Sequence, residues 1–142
     1  MKILSISRTL HAPIGEVCAL TSAFGAIRAW MPAVARVSLV GAGIGAERTV
    51  SGTMGSAVER LVELDPEQHR VRYAVNGPGL EWLKNLTGQT RLESLAEDRT
   101  RLEWTIEASE VDGDVRPLVP GFSQFMEDGI AALARFLEVR VE

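Results

Sequence analysis

Arg48, Glu59 and Tyr73 are the side chains of this sequence whose types and spacing could anchor or activate a small molecule. Arg48 alternates with Ala46 and Val50, so a strand that turns this face inward carries a guanidinium into apolar surroundings, where it needs an anionic or carbonyl partner. Glu59 falls on the following strand and could be that partner. A buried pair of this kind could orient a ligand carbonyl or shift a pKa for acid-base work. Against this, Val58, Val62 and Leu64 share the parity opposite to Glu59, which favours an outward carboxylate. Tyr73 alternates with Val71 and Val75, which turns its ring inward, either as core or with its hydroxyl offered to a ligand.

Trp30, Trp82 and Trp104 are candidate walls or rim of an apolar pocket, with plain core packing the alternative for Trp104 and surface packing the alternative to a lid for Trp82. Glu103, on the face opposite Trp104, reads as a solvated cross-strand partner. His11 and His69 match no spacing for metal ligands and Cys18 has no neighbouring thiol, so neither a metal nor a cofactor is expected, and Cys18 reads as a small buried apolar residue. The run Gly41-Ala42-Gly43-Ile44-Gly45 lacks the lysine of a phosphate loop and opens no helix, and is expected to be a mobile hairpin at a pocket mouth.

The elements that must position these residues follow from periodicity. Met1 to Leu10 alternates as a strand, and Pro13 suits the first turn of a helix over Ile14 to Thr21, followed by another from Phe24 to Trp30 that Pro32 ends. From Val34 to Val111 alternation recurs between turn signals at Gly41 to Gly45, Ser51 to Ser56, Asp65 to Glu67, Asn76 to Gly79 and Glu97-Asp98, which describes six strands in a meander. Phe122, Phe125, Met126, Gly129, Ile130, Leu133, Phe136 and Leu137 then recur at helical spacing, predicting a helix from Phe122 to Val139, roughly 27 Å long.

A sheet of seven strands must bury one face, and one helix is too narrow to cover it flat, so the sheet has to curl around the helix. Twist and bulges allow that curvature, and the glycines at Gly41 to Gly45 and Gly52 to Gly55 are expected to supply flexible backbone at two of its corners. The predicted class is α+β: a curved seven-stranded antiparallel sheet wrapped around a long C-terminal helix, with two short helices after the first strand, in one domain spanning residues 1–142. Phe122, Phe125 and Met126 would line the helix side of any cavity, and Gly129 either leaves room there or receives a bulky strand residue.

Composition bounds the partners. With 46% hydrophobic and 24% charged residues the chain has enough apolar material for a core, and disordered classes are excluded. A net charge of -4 without any basic run offers no footprint for nucleic acid or anionic lipid. Met1 to Leu10 lacks the apolar core of a secretion signal and no segment reaches membrane-span length, so a cytoplasmic protein without membrane insertion is expected.

Taken in order, Ala12-Pro13 with Val17, Phe24-Gly25, Trp30-Met31-Pro32, Gly43-Ile44-Gly45-Ala46-Glu47-Arg48, Glu59-Arg60-Leu61 with Asp65 and Tyr73, and Leu102-Glu103-Trp104 before the last helix resemble the START-like superfamily. This is also called the helix-grip or Bet v 1-like fold, and the likeness is to its bacterial polyketide cyclase/dehydrase and lipid transport branch (SRPBCC). The resemblance covers nearly the whole chain and implies a deep hydrophobic cavity between sheet and helix, used across the superfamily for lipids, polyketides, hormones or quinones. Trp82 and Leu83 depart from the polar, tyrosine-bearing turn that the branch would place there. Three functions fit: binding of a hydrophobic or aromatic small molecule, catalysis as a polyketide cyclase or dehydratase through Arg48, Glu59 and Tyr73, or a protein-interaction module.

Overall fold

The computed structural model describes residues 1–142. Its first strand, β1 (Lys2–Leu10), leads into a helix α1 (Ile14–Thr21) and a 3-10 segment (Phe24–Ala29). Strands β2 (Val34–Val40), β3 (Glu47–Gly52), β4 (Gly55–Asp65) and β5 (Arg70–Asn76) follow as hairpins, then a two-residue β6 (Leu83–Lys84), β7 (Thr87–Ala96), β8 (Arg99–Glu107) and a short β9 (Glu110–Val111). The main sheet is antiparallel, seven-stranded and ordered β1-β8-β7-β5-β4-β3-β2, while β6 and β9 form a small ladder of their own. The strands break at the turn signals expected from the sequence, because each is a glycine, proline or aspartate cluster unable to continue a ladder.

The last helix, α2 (Val119–Leu137), begins one turn before the expected start, since Pro120 sits where a missing N–H costs nothing. It ends on Glu138, whose left-handed conformation lets Glu138 and Val139 donate back to Arg135 and Ala134. Val139 therefore lies beyond the helix. Phe136, placed by spacing in the buried stripe, is instead 54% exposed, while its neighbour Leu137 packs against the main core.

The bulges that let such a sheet curve occur in four of its strands. Pairing slips by one residue in β1, β2, β4 and β7, and each slip bends its strand and increases the twist. Gly41, Gly43 and Gly45 take positive φ in the connection between β2 and β3, and Gly55 does so as the first residue of β4, where the β3–β4 turn closes.

The grip is solid at one end and hollow at the other. Met126, Ile130 and Leu133 of α2 pack with Ile6 and Leu10 of β1, Val17 of α1, Met31, Leu102 and Trp104 into the main core. Phe125, the residue before Met126, and Phe122, about one turn nearer the helix start, border open space instead.

Candidate functional site

The space under the N-terminal half of α2 is a cavity of about 320 Å³, at the lower end of the ~300–1,000 Å³ usual for small-molecule sites. Val50, Ala57, Val75, Ile106, Phe122 and Phe125 supply its apolar walls, and Arg48 and Glu59 are its charged residues.

Register explains the pair. Arg48 of β3 stands directly opposite Glu59 of β4, and residues opposite one another share a face. The sequence argument for an outward Glu59 fails at a bulge. Leu61 faces Tyr73 but Glu63 faces Arg72, so Val62 is the extra residue, and beyond it Leu64 returns to the inner face opposite Val71. Parity counted back from Val62 and Leu64 is therefore reversed by the time it reaches Glu59.

Arg48 is 5% exposed and its bonds are specific. Nε donates to Glu59 Oε1 at 2.7 Å and Nη1 donates to the Phe24 carbonyl at 2.8 Å, which ties β3 to the 3-10 segment. The guanidinium carbon lies 4.0 Å from the centre of the Phe24 ring and 5.2 Å from that of Tyr73, so the cation is sandwiched by aromatic faces. Nη2 and Glu59 Oε2 have no protein partner.

Tyr73 completes the cluster. Its hydroxyl accepts from Trp104 Nε1 at 3.1 Å, which leaves the phenol proton free to donate. Burial, then the nearby Glu59 carboxylate, push its pKa well above the ordinary value, against smaller opposing effects of Arg48 and Trp104. The group is a neutral phenol throughout the physiological range. Because Tyr73 is the only tyrosine, an alkaline absorbance titration reads it alone. The raised folded pKa means that the neutral phenol stabilises the fold fully below the unfolded value of about 10, and that this contribution is lost as pH climbs above it. The expected trace shows no tyrosinate band until the chain unfolds. A band rising near pH 10 with the fold intact would contradict a sealed phenol.

Gly88 is a site residue that sequence reasoning missed. It stands opposite Tyr73, and a Cβ there would lie 2.3–2.5 Å from the phenol end of the ring, so the ring rests directly on the glycine backbone. Gly88→Ala is expected to cost about 1–3 kcal/mol in urea unfolding and to shift Tyr73 out of place. Val50, Ala57, Val75 and Ile106 were also missed, although each lies two residues along the strand from Arg48, Glu59, Tyr73 or Trp104, a spacing that keeps the same face.

The remaining candidates divide. Trp104, Phe122 and Phe125 line the cavity, and the Trp104 ring meets Phe125 edge-on at 6.0 Å. Trp30 meets the other side of Trp104 at 6.4 Å and borders a separate chamber of about 20 Å³. Met126 is wholly buried in the main core rather than the cavity wall. Gly129 leaves no free volume, because Met31 and the Trp104 ring would stand 2.9 and 3.2 Å from its Cβ and so fill the notch. Trp82 does not line the cavity: its indole donates to the Gly79 carbonyl and its ring lies against Gly113, while Pro78 and Leu80 of the same loop reach the cavity. The Gly41 to Gly45 turn is likewise absent from the mouth, which the Gly52 to Gly55 turn forms with Met54.

A curved antiparallel sheet holding one helix over an apolar cavity defines the helix-grip, or Bet v 1-like, class. The chain belongs to the polyketide cyclase / dehydrase and lipid transport family, which it matches over residues 1–138. Among solved structures it is similar to a protein from Thermobifida fusca determined by solution NMR, at 29% identity and TM-score 0.82 over 94% of this chain and 91% of that one. It is similar in fold to protein XoxI from Bacillus cereus, at 20% identity and TM-score 0.79 over 94% of each chain. The fold also matches norcoclaurine synthase from Thalictrum flavum, solved with dopamine and hydroxybenzaldehyde, at 14% identity and TM-score 0.75 over 94% of this chain and 84% of that one. A search of curated proteins found no match to the chain. No helix is long and apolar enough to cross a membrane.

Proposed function

We propose that the chain binds an apolar small molecule with one polar end, seated between the sheet and the N-terminal half of α2. The observation that carries this reading is the cavity itself: about 320 Å³ of space walled mainly by apolar side chains, with Arg48, Glu59 and Tyr73 converging on it. The volume suits a fused-ring or single-chain molecule and falls far short of a two-chain lipid. In this reading Arg48 Nη2 and the Tyr73 hydroxyl hold a ligand oxygen, and Phe122, Phe125 and Trp104 cover its rings or chain.

Native mass spectrometry of protein purified from cells tests this. The expected spectrum contains a retained small apolar molecule that is lost on gentle activation. A spectrum of bare chain, together with failure to take up an uncharged naphthyl ketone such as prodan, would sink the proposal.

Catalysis is a second reading, favoured by the free Glu59 Oε2. A carboxylate oxygen beside a bound carbonyl polarised by Arg48 and Tyr73 could remove a proton alpha to it, the first step of a cyclisation or dehydration. Loss of turnover in Glu59→Gln with ligand affinity retained would identify it.

A further inference from the structure

We propose that the cavity selects its ligand by charge, admitting uncharged carbonyl- or hydroxyl-bearing apolar molecules and excluding the matching carboxylates and amines. This inference rests on the binding reading and deepens it.

Arg48 reads from the sequence as an anchor for an anionic or carbonyl group, yet it enters the cavity already paired with Glu59. Its only charged neighbour on the cavity wall is Glu59, held at 2.7 Å, and no other Lys, Arg, Asp or Glu lines the space. The wall therefore carries one positive and one negative charge, in contact. A carboxylate entering beside Nη2 would be attracted by Arg48 but repelled by Glu59, whose carboxylate is held against the same guanidinium, so the Coulomb energy left to offset the loss of its hydration is reduced. An ammonium meets the same opposition with the signs reversed.

What the pair leaves available is polar but neutral in sum. Arg48 Nη2 is a free donor, Glu59 Oε2 a free acceptor and the Tyr73 hydroxyl a second donor. A ketone oxygen can accept from either donor, and a hydroxyl on the same molecule can donate to the carboxylate. Each bond is made without bringing a net charge out of water.

The test is calorimetric binding of three matched probes: methyl naphthyl ketone, naphthoate and naphthylmethylamine. The wild-type protein is expected to bind the ketone at least tenfold more tightly than either ion. Glu59→Gln, which keeps an oxygen for Arg48 Nε but removes the negative charge, is expected to shift the ketone-to-carboxylate ratio at least tenfold towards naphthoate. If Glu59→Gln does not fold, the wild-type ranking decides alone, because a lone effective cation would favour naphthoate and reject the amine. Wild-type protein binding naphthoate as tightly as the ketone, or an unchanged ratio in folded Glu59→Gln, overturns charge selection while leaving the binding reading intact. A folded wild type that takes up none of the three overturns both.

Discussion

Arg48→Met is expected to destabilise the folded chain by about 3 kcal/mol, measured as a lower urea midpoint at an unchanged slope. The substitution removes a cation whose side chain is 6% exposed and strands a carboxylate whose side chain is 13% exposed. Breaking a buried pair from one side costs about 3–5 kcal/mol, because the remaining charge loses its partner without regaining water. The lower end applies here, since Glu59 lines the cavity and keeps one route to solvent. Two further losses accompany it, the hydrogen bond to the Phe24 carbonyl and the stacking between the Phe24 and Tyr73 rings. The double variant Arg48→Met/Glu59→Leu separates these effects. With both charges gone it is expected to recover most of the loss, as apolar replacements of buried pairs do. A double variant as unstable as the single one would locate the cost in the Phe24 contacts, and Arg48 would then serve mainly to fasten the 3-10 segment to β3.

The same pair shows how far the sequence could be read. Alternation placed Arg48 and Tyr73 correctly, because Val50, Val71 and Val75 stand on regular stretches of β3 and β5 where the side-chain period of two holds. It failed for Glu59 because β4 carries its bulge only three residues further on, at Val62, and a single extra residue exchanges the faces of everything beyond it. Helical spacing identified α2 and its stripe, but period alone cannot say which part of a stripe meets a core and which meets a void. Met126 and Phe125 are neighbours in sequence, yet one is sealed among Ile6, Leu102 and Leu133 while the other overlooks the cavity. That division is set by the short elements after β1, which deliver Met31 into the notch at Gly129 and so close one end of the grip. Gly88 was illegible for a related reason. A lone glycine in a strand signals a close approach, but only the β5–β7 register names Tyr73 as what approaches.

Ala57→Phe is expected to weaken uptake of an uncharged naphthyl ketone at least about 100-fold, some 2.8 kcal/mol at 1.4 kcal/mol per tenfold, without lowering stability. Ala57 stands opposite Val50 on the inner face of β4, two residues from Glu59 on the side of the Gly52 to Gly55 turn, and both residues line the cavity. A phenyl ring added there enters apolar space that the fold leaves empty, so it fills volume without displacing packed atoms. Filling a void restores dispersion contacts and removes apolar wall from water, which makes equal or greater resistance to urea the expected companion result. Affinity and stability should therefore move independently, which a substitution that merely damages the fold cannot do. Val58→Phe is the matched control, since Val58 is the next residue along β4, lies on the outer face and is already 38% exposed. It adds the same ring beside the same backbone and should leave uptake unchanged. Loss of binding in Ala57→Phe but not Val58→Phe places the ligand between the sheet and α2. Equal binding by both would move it to another surface, and the cavity would then be only a consequence of how seven strands close around one helix.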